Sequence, residues 1–134
     1  MRKFISLAVV ALLASSMSAQ TIANMKDLNA EKKSAAINLK LTGTLTTTKN
    51  SDFRQLRDLC WQLRNLDLSE ATCPVLPKNA FHSRHHLQHI ILPNQLQEIG
   101  TQAFFACDNL QEVVIPKSVT KVGAAAFSCC KSLK

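Results

Sequence analysis

LQHIILPNQLQEIGTQAFFACDN, residues 87–109, is followed at once by LQEVVIPKSVTKVGAAAFSCCKS, residues 110–132. The second stretch is the first shifted by 23 residues. Leu87 becomes Leu110, Ile90 Val113, Leu92 Ile115, Pro93 Pro116 and Leu96 Val119. Further along, Ile99 becomes Val122, Gly100 Gly123, Phe104 Phe127 and Cys107 Cys130, and Leu133 opens another copy. A fixed period in the twenties marks a solenoid, in which each repeat is one coil that buries its apolar side against the next. The expected fold is therefore a repeat solenoid of short parallel strands, one per coil.

Each repeated residue type has a physical task. Leu87, Ile90 and Leu92, or Leu110, Val113 and Ile115, anchor a short strand in the interior. Pro93 and Pro116 end that strand because they have no N–H to donate. Gly100 and Gly123 suit a turn with positive φ. Phe104 and Phe127 are large core residues, each preceded by an alanine, and Cys107 and Cys130 close the coil as small buried groups.

Upstream, residues 63–86 form an atypical copy. Leu63, Leu66 and Leu68 match Leu87, Ile90 and Leu92 at a shift of 24, whereas Leu76, Ala80 and Phe81 match their equivalents at 23. One extra residue therefore lies between Ser69 and Val75. Pro77 replaces the repeat glycine and Arg84 the cysteine. Residues 37–62 read as an N-terminal cap coil: Leu39-Lys40-Leu41 has the spacing of Leu66-Asp67-Leu68. Ser51-Asp52 opens a helix running to about Gln62, with Phe53, Leu56, Leu59, Cys60 and Leu63 on its apolar face. Residues 20–36 read as a polar leader with a short helix around Met25 to Ala36.

Residues 1–19 have the form of a secretory signal. Arg2 and Lys3 precede an uncharged apolar run from Phe4 to Ala14, and cleavage is expected after Ala19 or Ser18. That run is too short to cross a bilayer, and no second one is long enough. Its removal takes two of the seven net positive charges, leaving +5. The remaining basic residues are scattered, and one Trp with no Tyr offers little for stacking bases, so nucleic acid is not an expected partner. The odd count of five cysteines leaves at least one thiol unpaired in an exported chain. Cys107 and Cys130 fall close enough for a bridge between stacked coils, or they fill one slot as buried thiols. Cys60–Cys73 is equally open.

The pattern Leu-x-x-Ile-x-Leu-Pro-x-x-Leu-x-x-Ile-Gly-x-x-Ala-Phe-x-x-Cys resembles the BspA-type leucine-rich repeat of bacterial surface proteins. Leu39 to Leu45, Asp52 to Leu59, Leu66 to Ser69 and Pro77 to Phe81 carry the likeness back to about residue 37. The chain departs from the commoner leucine-rich pattern by Gln95 and Ser118, where an asparagine or cysteine ladder would stand. The resemblance implies a leucine-rich-repeat-like fold and an exported, extracellular or cell-surface recognition protein. It also implies adhesion or matrix binding to a protein or glycan of a host or neighbouring cell, with no catalysis and no cofactor. A structural spacer in a longer surface protein is the alternative.

Candidate binding positions lie on the strands between the anchors: Arg64, Asn65 and Asp67; Gln88, His89 and Ile91; Gln111, Glu112 and Val114. Stacked coils align them into a grid, expected to be solvated. His82, His85, His86 and His89 cluster without Cys or carboxylate at metal-ligand spacing, so no metal site is assigned. Asp67 and His89 can approach across strands but have no nucleophile beside them. Val113, Ile115, Val119, Val122 and Phe127 are expected to form an apolar rim at the C-terminal end. That rim suggests a longer array or end-to-end self-association.

Overall fold

A computed structural model describes residues 20–29, 37–47 and 52–134. The signal segment and residues 30–36 of the helix expected around Met25 to Ala36 lie outside the described residues. Among the described residues eight strands and one α-helix follow in order: β1 Gln20–Ala23, β2 Asn38–Thr44, α1 Asp52–Leu59, β3 Asn65–Thr72, β4 Val75–Leu76, β5 His89–Ile91, β6 Glu98–Ile99, β7 Glu112–Val114 and β8 Lys121–Val122. They build a parallel-strand solenoid with two sheets, β1-β2-β3-β5-β7 and β4-β6-β8. Each clean coil thus contributes two strands, not the single one expected. The second is only two residues long, shorter than the alternation needed to reveal a strand in sequence.

The register follows the repeat arithmetic. Asn65 pairs with His89 and Leu66 with Ile90, a shift of 24, while Leu76 pairs with Ile99, a shift of 23. The extra residue therefore falls after Asp67 and before Val75. Leu39 pairs with Leu66, as their shared spacing predicts, with a bulge between Lys40 and Thr42. The sheet also extends upstream, because β1 pairs with β2 inside the stretch read as a leader. There the polar residues gave no strand periodicity, and a single 3₁₀ turn, Met25–Asp27, follows.

The interior is one apolar column. Leu39, Leu66, Ile90 and Leu110 are fully buried, as are Leu76 and Ile99 on the opposite side. Helix α1 closes the column with Phe53 and Leu56 and ends at Leu59 rather than Gln62, and Cys60 follows it into the core. Phe53 meets Phe81 edge-on at 5.9 Å, and Phe81, Phe104 and Phe127 then stack at 5.4 and 5.2 Å between centroids. Of the expected rim, Val113 and Ile115 are buried by their own coil. Val122 is 44% exposed, and Val119 and Phe127 are half-buried.

All five cysteines are free thiols. Cys107 Sγ donates to Phe81 O at 3.0 Å, and Cys130 Sγ to Phe104 O at 3.0 Å. Each thiol therefore binds the carbonyl of the coil before it instead of the next sulfur. Burial pushes the Cys107 thiol up to about 12 and Cys73 to about 11, so both stay protonated and inert near neutral pH. Arg84, in the cysteine slot of the atypical coil, performs the same task on a larger scale. Its guanidinium donates to Arg57 O, a carbonyl in the last turn of α1 that has no helical partner.

The repeat glycines are not where the coils turn left, although Gly43, in β2, has a φ of 83°. Positive φ falls on Asn79 and Ser83, Gln102 and Ala106, Ala125 and Cys129, three pairs repeating every 23 residues, while Gly100 and Gly123 lie outside that region. Their service is closeness: a Cβ on Gly100 would lie 2.6 Å from Leu76 O and 2.7 Å from Lys78 N, and Gly123 stands as tightly against Thr101. The left-handed residues arise from a different demand. Asn79, Phe81 and Ser83 donate N–H to Thr101, Ala103 and Phe105 of the next coil, and Gln102, Phe104 and Ala106 to Ala124, Ala126 and Ser128. The intervening N–H groups turn back three residues, as Phe105 does to Gln102. Alternating the two directions requires a reversed backbone at regular intervals, at about 1–2 kcal/mol for each L-residue.

This assigns opposite signs to two substitutions. Gly100→Ala should destabilise by about 1–3 kcal/mol through backbone overlap. Ala106→Gly should be neutral to stabilising by up to about 1 kcal/mol, since it relieves left-handed strain. Urea unfolding midpoints measure both; a tolerated Gly100→Ala with a destabilised Ala106→Gly would overturn the assignment.

Candidate functional site

The face of β2, β3, β5 and β7 that looks away from the column carries the sequence-predicted grid. Parallel pairing arranges it in two rows. Asn38, Asn65, His89 and Glu112 form one; Lys40, Asp67, Ile91 and Val114 form the other. Arg64, Gln88 and Gln111 stand at the corner where each coil enters the sheet. There the Arg64 carbonyl accepts from Gln88 and His89, and the Gln88 carbonyl from Gln111 and Glu112. Arg64 and Gln111 are exposed, and Gln88, His89 and Glu112 are half-buried.

The rest of the grid is more enclosed than a solvated face. Asn65 is 7% exposed, and Asp67, Ile91 and Val114 are each 8% exposed. Ile91 and Val114 make a small apolar pair of their own, separate from the main column. Short strands set side by side let neighbouring side chains shelter one another, which residue type alone does not reveal.

The polar part is tied together by charge and amides. Lys40 Nζ lies 3.0 Å from Glu70 Oε1 and 3.8 Å from Asp67 Oδ2. The hydrogen bond that Lys40 donates to Glu70 raises its ammonium above the ordinary range, with the charges of Asp67 and Glu70 adding to it against partial desolvation. Asp67 Oδ1 accepts from the Ser69 N–H at 2.9 Å. Asn65 Nδ2 donates to Asn38 Oδ1. Two sheltered atoms have no hydrogen-bond partner, Asn65 Oδ1 and His89 Nδ1, on residues paired directly across β3 and β5. Burial holds the His89 imidazole below its ordinary 6.5, and the Glu112 carboxylate opposes that shift in part.

Asn38, Lys40 and Glu70 were missed in the sequence reading. The signal for the first two was present: the matching spacing of Leu39-Lys40-Leu41 and Leu66-Asp67-Leu68 places Asn38 beside Asn65 and Lys40 beside Asp67. The four histidines do not converge. His82 stacks on Phe105 at 5.1 Å, His86 meets Trp61, His85 binds Asp108, and His89 belongs to the sheet. Among the described residues no group of three or more His, Cys, Asp or Glu is arranged to hold a metal ion.

The repeat geometry has a counterpart in known proteins. A family model for the BspA type leucine rich repeat region, in six copies, matches residues 20–134. The chain belongs to the BspA-type leucine-rich repeat family. Its span begins at β1, in agreement with the sheet. A leucine-rich repeat protein of T. pallidum is similar in structure, with a TM-score of 0.58 and 24% identity over 85% of this chain and 49% of that one. A leucine-rich repeat protein from Bacteroides ovatus has a TM-score of 0.44 and 19% identity, over 86% of this chain and 36% of that one. The chain thus spans about half the length of the first and about a third of the second. No curated protein matches it. BspA-type repeats are generally non-catalytic interaction scaffolds, typically of bacterial surfaces. Among the described residues no helix is long and apolar enough to cross a membrane.

His89 supplies a pH signature for the face. A depressed native value means its contribution is complete above the ordinary 6.5 and is lost as pH falls through the native value. The melting temperature should therefore drop between pH 7 and pH 5, and drop less in His89→Gln, as thermal melts across that range would show.

Proposed function

We propose that this chain is an exported, non-catalytic recognition module that binds an extracellular protein or glycan through the outer face of β2, β3, β5 and β7. The observation that carries the reading is the pair of unpartnered atoms, Asn65 Oδ1 and His89 Nδ1, side by side on that face. A sheltered polar atom left without a partner costs about 1–3 kcal/mol. Both atoms are closed off from water, so a partner that draws either side chain outward and bonds it recovers that energy on binding. Around it, Ile91 and Val114 offer an apolar centre, and Lys40, Asp67, Glu70 and Arg64 a charged margin, the arrangement usual for interfaces. The signal-like residues 1–19 and the surface association typical of the family support export.

Binding of the mature chain to a panel of immobilised matrix proteins and glycans tests the reading. Arg64→Glu combined with Glu112→Lys reverses charge at two points of the face. It should weaken any captured partner about tenfold or more while leaving the melt within ~0.5 kcal/mol of the parent. Unaltered affinity would remove the face from the site. Absence of any partner would favour a spacer that only extends a longer surface protein.

A further inference from the structure

We propose a separate saccharide-binding subsite on the solenoid edge, built on Trp61, His85 and Asp108, that takes a pyranose ring of a glycan. The chain has one tryptophan, and Trp61 is 53% exposed. Burying such a residue would stabilise the fold by more than almost any other, and its half-exposure at the end of the cap coil instead leaves aromatic surface free for a ligand. It sits where successive coils turn back toward the sheet, and the columns of that edge show what the structure itself needs there. Asn109 Nδ2 donates to His85 O, and one coil later Ser132 Oγ donates to Asp108 O at 2.7 Å. These are structural rungs, each tying a coil to the carbonyl of the one before. The equivalent residue in the preceding coil is His86, which departs from the pattern. Its ring lies against Trp61, with centroids 6.3 Å apart and planes at 66°, and both residues are exposed.

The neighbouring column completes a recognition set. His85 Nδ1 lies 3.1 Å from Asp108 Oδ2, and Lys131 Nζ lies 3.9 Å from Asp108 Oδ1. The carboxylate thus holds the exposed His85 ring by Nδ1 and leaves Nε2 for a ligand, as an orienting carboxylate does at other imidazole sites. Trp61 and His86 present two exposed rings in edge contact, and His86 directly follows His85 in the chain, which joins the rings to the His85–Asp108 pair.

The chemistry of that surround selects the ligand. An aromatic anchor in a protein interface is seated among other apolar groups that exclude water. Here the exposed aromatic area is that of Trp61 and His86, and the chain continues from it into His85, whose ring is held by the Asp108 carboxylate. A pyranose matches both parts: its C–H face lies on an indole, and its ring hydroxyls bond to imidazole nitrogen and carboxylate oxygen. A nucleotide would share the stacking, but its phosphate would meet the Asp108 carboxylate.

The single tryptophan is its own reporter. Intrinsic fluorescence of the mature chain is titrated with maltotriose, triacetylchitotriose and sialyllactose, with adenosine monophosphate as the competing class. The expected result is a saturable change with at least one saccharide and none with the nucleotide. By calorimetry with that saccharide, Trp61→Ala should bind at least about tenfold more weakly and His85→Ala about two- to tenfold more weakly, with unchanged melts. The wild-type titration decides the matter even if a variant fails to fold. No saturable change with any saccharide at millimolar concentration would overturn the subsite, as would saturation by the nucleotide alone or undiminished binding to Trp61→Ala. The charge-reversed sheet face should leave the saccharide titration unaltered, so failure of one site is distinguishable from failure of the other.

Discussion

The distance between coils governs this chain. Parallel strands sit about 4.7–4.9 Å apart, and whatever occupies a position in one coil must tolerate its counterpart at that spacing in the next. Phenylalanine rings satisfy the condition by lying flat, which is why Phe81, Phe104 and Phe127 stack at 5.4 and 5.2 Å. Glycine satisfies it at Gly100 and Gly123, where the backbone of the previous coil leaves no room for a Cβ. Cysteine satisfies it by donating backwards to a carbonyl and so avoids leaving a buried polar atom unpaired. One geometric condition thus explains three residue types that otherwise look like unrelated punctuation.

The same condition generates the functional faces. Residues that point out of the column are also stacked at strand spacing, so each becomes part of a row. On the sheet this brings Lys40 to Asp67 and Asn65 to His89, residues about two dozen positions apart in sequence. On the far edge it brings His85 to Asp108 and Asp108 to Lys131. Where a row only repeats a structural bond, as Asn109 and Ser132 do, the residue belongs to the scaffold. Where a row breaks the pattern with an exposed ring, as Trp61 does, or leaves an atom unpartnered on the outer sheet face, as Asn65 Oδ1 and His89 Nδ1 are, the position is a candidate for recognition.

Much of this was legible in the sequence because the repeat fixes register. The shifts of 24 and 23, the position of the extra residue, the helix on the cap and the buried roles of Leu, Ile, Phe and Cys all follow from aligning one coil on the next. Three things were not legible. The two-residue strands β4, β6 and β8 are too short for a periodic signal. The positive φ of Gln102, Ala106, Ala125 and Cys129 is imposed by hydrogen bonds to adjacent coils, against local preference, so a search for glycine looks in the wrong place. The shelter of Asn65, Asp67, Ile91 and Val114 depends on which side chains stand beside them, and β-strand alternation gives only the direction each one points.

The central claim is that backbone hydrogen bonds between coils, more than local turn preferences, hold the irregular side of the solenoid in place. Amide hydrogen exchange resolved by residue tests it most directly. Phe81 and Phe104 donate N–H to the following coil, whereas Phe127, at the equivalent position, has no acceptor among the described residues. The account predicts strong protection at Phe81 and Phe104, and exchange at Phe127 faster by about two orders of magnitude or more. Equal protection at all three, or loop-like exchange at Phe81 and Phe104, would contradict it.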